Sequence, residues 1–244
     1  MSAENYSTID VKSIRYISMP NNMGRRALLR LLLMRIPLKQ TWIKGVSYQA
    51  NSIEHRCTTE RGVREYVEDL GERARVGIVG CWIAHNNALK SIKDKSGFTL
   101  VIEDDLIFRK DFIAAIQNTL RNYSEHFDIA FVDPNGDGPL AKDKIKEGIY
   151  NPNFQCYPAY WGAHCMLVRN SSVNNIIEMM SDCKVEDVDG FFICNPKIKT
   201  IAVYTHKART IYFGSNVRGA KGFDRIKGYL NWLSFWLGLQ RMRN

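Results

Sequence analysis

The chain has 244 residues, 45% of them apolar and 24% charged, with a formal net charge of +9. That length suits one large α/β domain with a small appendage, and the composition excludes both disorder and a crosslink-dependent miniature fold. The basic balance favours anionic partners, namely nucleic acid, nucleotide diphosphates or an anionic membrane surface, without choosing among them.

Along the chain, VKSIRYISM at 11–19 reads as a first strand ended by the turn Pro20-Asn21-Asn22. GRRALLRLLLMRI from Gly24 reads as a helix stopped by Pro37, and TWIKGVSY at 41–48 as a second strand. Residues 49–75 lack steady periodicity and read as a loop region with short helical pieces. GCWIAHNNALKSIK at 80–93 has helical period, with Cys81, His85, Ala88 and Ile92 on one face. FTLVIEDDLIF at 98–108 is an apolar run broken only by three acids. DFIAAIQNTLRN follows as a helix with Asp111 as its expected N-cap, and DIAFVD at 128–133 reads as a buried strand.

The stretch 134–148 is turn-rich and charged, either a lid over a site or an ordinary surface loop. SSVNNIIEMMSD at 171–182 reads as a capped helix and KTIAVYT at 199–205 as a late strand. The βαβα alternation predicts an α/β fold, a mostly parallel sheet flanked by helices. Residues 1–220 form the expected domain, and 221–244 a basic, aromatic tail.

Six cysteines, at 57, 81, 156, 165, 183 and 194, form no C-x-x-C pair and no zinc-finger spacing, so free thiols are expected. The N-terminal segment lacks the basic-then-apolar layout of a secretory signal, and no apolar run reaches the ~18 residues that span a bilayer. The expected location is cytoplasmic, free or peripheral on the inner face of the cytoplasmic membrane.

The acids Glu103, Asp104 and Asp105 end an apolar strand, where successive side chains alternate faces. Glu103 and Asp105 are therefore expected on one side and Asp104 on the other. Adjacent like charges oppose one another's ionisation, and a divalent cation removes that conflict. Oxygen ligands suit Mg²⁺ or Mn²⁺, completed by substrate phosphates. The bland alternative is acids that cap the next helix or pair with arginines.

The helix GIVGCWIAHNNALK (77–90), followed by FTLVIEDDLIF, resembles the bacterial lipopolysaccharide glycosyltransferases of family 25, which carry a G-x-x-G-C-x-x-S-H helix before a strand ending in E-D-D. IRYISMPNNMGRR is similar to the family's opening segment, YPAYWGAHCMLVRNSSVNNII (157–177) to its small-residue strand and helix, and VEDVDGFF (185–192) to its V-D motif. Ala84 stands where the family usually has serine, and the first strand lacks the usual Asn-Leu-Asp.

The resemblance implies a GT-A-like nucleotide-sugar-binding sheet and inverting transfer from a UDP-sugar, galactose or a related hexose. The acceptor it implies is a glycan or lipid-linked saccharide in lipopolysaccharide or lipooligosaccharide synthesis. It also implies that Asp105 binds the metal, that Asp104 contacts the nucleotide ribose and joins Asp105 as a metal ligand, and that Glu103 orients the donor.

Inverting transfer needs a general base. Asp189, which matches the V-D motif, is the first candidate and Asp187 the second; the alternative is that either caps a helix beginning near Gly190. His85 is either part of the donor site or a hydrogen-bonded core residue. His206, ending an apolar strand, is a candidate third metal ligand, and His164 is no better supported. Arg25 and Arg26 are candidates for the donor diphosphate or residues of a solvated face.

In the tail, YLNWLSFWLGL flanked by basic residues fits an interfacial helix or a helix packed on the domain or on a second copy. Competing functions are a metal-dependent phosphoryl-transfer enzyme or nuclease, and a non-enzymatic adaptor for polyanions or membranes. Nucleic acid is not expected as a partner, because interleaved basic-aromatic strands are missing.

Overall fold

The computed structural model describes residues 9–46, 71–121, 123, 125–136, 138–152, 160–183, 185–211 and 222–237. The loop expected at 49–75 (for residues 49–70), Cys57, Cys156, the 157–159 stretch and the ends of the tail lie outside these residues.

The chain runs β1 (Val11–Ser18), α1 (Met23–Leu33), β2 (Lys39–Lys44), α2 (Gly71–Lys90), β3 (Phe98–Glu103), β4 (Leu106–Phe108), α3 (Phe112–Leu120) and β5 (Ile129–Val132). It continues through β6 (Lys144–Lys146), β7 (Ile149–Tyr150), β8 (Cys165–Arg169), α4 (Val173–Asp182), α5 (Val188–Cys194), β9 (Thr200–Val203), β10 (Ala208–Thr210) and α6 (Gly222–Trp236). Eight strands form one sheet in the order β2-β1-β3-β8-β5-β9-β7-β6, and β10 pairs with β4 in a separate ribbon.

The α/β expectation holds, but the sheet is mixed rather than mostly parallel. β1 pairs parallel with β2 and β3, and β5 parallel with β9. β8 is inserted antiparallel between β3 and β5, and β7 and β6 close the far edge antiparallel. Because β8 opposes both neighbours, β1, β2, β3, β5 and β9 still point the same way. Their carboxyl ends share one edge.

Alternation along the strands divides the core. Leu100, Ile102, Ala130, Val132, Cys165 and Leu167 face one apolar layer with Leu29, Leu32, Phe112, Ile116 and Trp232 from α1, α3 and α6. Val101, Ile129, Phe131, Met166 and Val168 face the other, with Trp82, Leu89, Ile176 and Phe191 from α2, α4 and α5. These strands are covered on both faces, which is why their sequences are near-continuously apolar.

Several local expectations change. Asp111 stands at the N-cap of α3 but makes no capping bond; its carboxylate pairs with Lys207 Nζ at 2.7 Å. Ser172 likewise makes no cap for α4, and its hydroxyl donates to Asp128 Oδ1 at 2.5 Å. The charged stretch 134–148 is no free loop among its described residues. It holds a short 3-10 turn at Ala141–Asp143 and the edge strand β6, and Tyr160 donates to Asp143 Oδ2 at 2.9 Å. Cys81, Cys165 and Cys183 are free thiols, as expected. The tail helix α6 packs Trp232, Phe235 and Trp236 on the domain core. Among the described residues no helix is long and apolar enough to cross a membrane.

Candidate active site

The chain leaves β1 for β2 on one side and returns through α2 to β3 on the other, so connections diverge at the carboxyl ends of β1 and β3. In open α/β sheets such a switch point is where ligands bind. The acidic triplet lies there. β3 ends at Glu103, and Asp104 and Asp105 form the turn into β4.

The pleat distributes the acids. Glu103 follows Val101 to the α2–α5 side, where its Oε1 lies 3.8 Å from Cys81 Sγ and 3.8 Å from His85 Nε2. Asp104 turns to the α1 side and is buried. Its Oδ2 accepts from Ser18 Oγ at 2.7 Å and from Asn22 Nδ2 at 3.4 Å, and its Oδ1 is ion-paired with Arg25. The same guanidinium nitrogen lies 3.5 Å from Asp105 Oδ2. Asp104 thus has both oxygens engaged by residues from the end of β1 to the start of α1, which makes it an anchor for Arg25 rather than a ligand open to donor or metal. Asp105 differs. Its Oδ1 is buried with no hydrogen-bond partner among the described residues, and a buried carboxylate oxygen left unpaired is costly.

The turn Gly162-Ala163-His164, which leads into β8, joins three elements. Its Gly162 and Ala163 N–H groups both donate to Asp189 Oδ1, at 2.6 and 2.7 Å. The Ala163 carbonyl lies 3.1 Å from His85 Nε2, and the His164 carbonyl accepts from Glu103 N at 2.9 Å. So α2, β3 and α5 are tied to one turn. The turn needs glycine: a Cβ at Gly162 would meet the Phe131 side chain at 2.5 Å. Gly162→Ala is expected to cost about 1–3 kcal/mol through overpacking, lowering Tm by roughly 2–12 °C in a chain of this size. Thermal unfolding checks it; a variant as stable as the parent means the turn and Phe131 separate freely.

His85 is fully buried, with Nδ1 3.0 Å from the Cys81 carbonyl and Nε2 facing the Ala163 carbonyl. Its place is a brace between helix and turn, the second of the two readings of this residue. Cys81 Sγ, His85 and Glu103 also form a tight cluster of metal-competent atoms. Both imidazole nitrogens already face carbonyl oxygens, which leaves no well-aimed lone pair for an ion. Gly80, just before Cys81, lets α2 approach the chain just after β2: a Cβ there would meet the Val46 carbonyl oxygen at 2.5 Å.

Charge crowds this side of the sheet. Burial, with the charges of Asp105, Asp189 and Asp104, pushes Glu103 up from 4.5 to about 8, and Arg25 only partly offsets them. Burial and the Asp189 charge raise Asp187 well above the usual carboxyl range. His164 is buried, and burial lowers its value against the opposing pull of Asp105 and Asp189. Glu103, Asp105, Asp189 and His164 therefore share one electrostatic neighbourhood.

The elevated Glu103 sets a pH signature. Between 4.5 and about 8 the folded chain holds a proton there that the unfolded chain has released. Stability from this group is present at low pH and is lost as pH rises through that window. Glu103→Gln keeps a neutral group in place. Without divalent cations, the Tm of the parent minus that of Glu103→Gln is expected to fall steadily as pH rises from about 5 to about 8. A flat difference would mean that Glu103 is not raised.

Two expected site residues are elsewhere. The ribbon register sets Ala208 opposite Phe108 and Thr210 opposite Leu106, and Ile211 N donates to the Asp105 carbonyl at 2.8 Å. His206 therefore sits at the ribbon end away from Asp105, exposed and in a left-handed turn at φ 55°. It is not brought to the triplet as a metal ligand. Arg26 donates to the Met19 carbonyl at 2.9 Å and lies 4.3 Å over the Trp42 ring. It clamps the turn after β1 instead of reaching toward a diphosphate.

Asp133, the last residue of the strand expected at 128–133, builds the 205–208 turn. Its carboxylate accepts from the backbone N–H groups of Thr205, His206, Lys207 and Ala208 and from the Thr205 hydroxyl. The signal for it was present, since a carboxylate after four apolar residues must find donors. Its partners, some seventy positions away, were not legible.

No family model and no curated protein matches the sequence. Among solved structures, the chain is similar to the crystal structure of a glycosyltransferase involved in the glycosylation of the major capsid of PBCV-1. The two are 10% identical, with 71% of this chain and 68% of that chain covered, at a TM-score of 0.34. A likeness this remote carries no argument about the site, whose chemistry rests on the residues above.

Proposed function

We propose that the chain is an inverting, metal-assisted glycosyltransferase, with a GT-A-like use of its sheet, that takes a hexose from a UDP-sugar. The carrying observation is the unpartnered, buried Oδ1 of Asp105 beside Glu103 and Asp189 at the switch point of the sheet. Oxygen donors in a crowded acidic site fit a hard divalent ion, and Asp105 is the residue that would hold Mn²⁺ or Mg²⁺. Such an ion supplies neutralisation of the charge that grows on a leaving diphosphate. Asp104 fixes Arg25 next to it, and a guanidinium at that place suits phosphate oxygens.

Asp189 is the general base of this reading and Asp187 its alternate. The two backbone donors hold Asp189 Oδ1, so Oδ2 remains to take a proton. An acceptor hydroxyl oxygen bonds to the anomeric carbon as its proton passes to Oδ2. The bond from that carbon to the phosphate oxygen breaks, and UDP departs with the electron pair. The anomeric configuration inverts. The resemblance of the 77–90 helix and the 98–108 strand supports a glycan or lipid-linked saccharide of lipopolysaccharide or lipooligosaccharide synthesis as acceptor, handled at the cytoplasmic side.

Calorimetric titration with UDP, with and without Mn²⁺, tests the reading beside an Asp104/Asp105 double-alanine control. Manganese-dependent binding lost in the control is the expected result. With folded protein and no binding of UDP, GDP or CMP, the reading yields to metal-dependent phosphoryl transfer.

A further inference from the structure

The tail helix α6 is held on one side and bare on the other. Trp232 is buried, Trp232 and Trp236 stack at 5.2 Å, and the Arg35 guanidinium lies 3.7 Å over the Trp236 ring. A Cβ added at Gly24 would meet the Tyr229 hydroxyl, so α6 touches α1 near one end of α1 and just beyond the other. Opposite this contact, Ile226, Leu230, Leu233 and Leu237 are exposed, Leu230 to 61% and Leu237 to 60%. Their spacing of four, three and four residues puts them in a single stripe. On the neighbouring α1, Met23 and Met34 are exposed to 71% and 77%, with the exposed Arg30 on the same helical face.

Large side chains bared along a helix that is already docked mark an interaction surface, since monomeric proteins avoid contiguous apolar patches of this kind. Charge identifies the occupant. The exposed charged side chains described on α1, on α6 and at Arg35 between them are basic, namely Arg30, Arg35 and Lys227, and the start of α6 adds one residue of each sign, Asp224 and Arg225. An apolar stripe flanked by exposed cations matches the boundary of an anionic bilayer, where leucines enter the acyl edge and cations meet phosphates. A protein partner would instead be matched by a polar rim of mixed charge.

We propose that the outer faces of α6 and α1 dock the protein on an anionic lipid surface. The proposal stands apart from the sugar-transfer reading, because none of the acidic residues takes part in it. The full chain is sedimented with vesicles of phosphatidylglycerol in phosphatidylethanolamine, and with vesicles of phosphatidylcholine alone. Binding to the anionic vesicles is expected to be at least ~10-fold stronger, and to drop at least ~10-fold in Leu230→Glu/Leu233→Glu. These positions are exposed, so unchanged circular dichroism and Tm accompany the loss. As a second variant, Arg30→Glu/Lys227→Glu leaves the stripe intact and is expected to weaken binding to the anionic vesicles alone.

Parent protein that stays in the supernatant overturns the proposal, as does a Leu230→Glu/Leu233→Glu variant that pellets like the parent. So does a parent dimer, dissolved by that variant, with neither form taken up by vesicles. In that case the face belongs to a second copy of the chain.

Discussion

Asp189→Asn is expected to bind UDP and Mn²⁺ as the parent does and to transfer sugar ~10²–10⁴-fold more slowly. The geometry makes the substitution clean. Both backbone donors, Gly162 N and Ala163 N, bond to Asp189 Oδ1, and an asparagine carbonyl oxygen accepts them equally well. The turn therefore keeps its place against His85 and Glu103. What disappears is the second carboxylate oxygen, replaced by an amide that cannot take a proton. The measurement is single-turnover transfer beside calorimetric donor affinity. Unchanged transfer removes Asp189 from the base role and passes it to Asp187.

Asp105→Ala is expected to weaken manganese-dependent UDP binding at least ~100-fold, since a metal ligand supports several kcal/mol of charge stabilisation. The loss should come without unfolding. Arg25 keeps its ion pair with Asp104, and Asp104 keeps Ser18 and Asn22, so the loop after β1 remains anchored. Removing the Asp105 charge also relieves Glu103, whose elevation it helps to cause. A Tm equal to or above that of the parent is therefore expected. Manganese-dependent binding of parental strength in the variant would dismiss Asp105 as the metal residue.

How much of this could be read from the sequence differs by element. The apolar approach to Glu103-Asp104-Asp105 announced the strand, and period-two alternation correctly sent Glu103 and Asp104 to opposite sides. The helix face bearing Cys81 and His85 was legible for the same reason, because helical period is local. The antiparallel insertion of β8 was not. CMLVR is buried on both faces and reads the same in either direction, since hydropathy carries no sign for strand polarity.

His206 failed as a ligand because the register of β10 on β4 decides its distance from Asp105, and register arises from pairing across the fold. Arg26 failed because a Trp42 ring and two carbonyl oxygens on the nearby turn satisfy it first. The hub at Gly162 to His164 left only a faint trace, a run of small residues before a strand. Its meaning depends on Asp189, His85 and Glu103 arriving from three separate elements.

The contact between α1 and α6 has a bearing on the order in which the molecule forms. Arg25 belongs to a helix packed by residues from the other end of the sequence, and contacts so far apart form late, after the loop between them has closed. The strands and α2 can bring Glu103, Cys81 and His85 together sooner, from a shorter stretch of chain. During synthesis the carboxylates would then be grouped before the guanidinium that balances them is secured. A nascent chain still lacking α6 would hold its site cation through the pair with Asp104 alone.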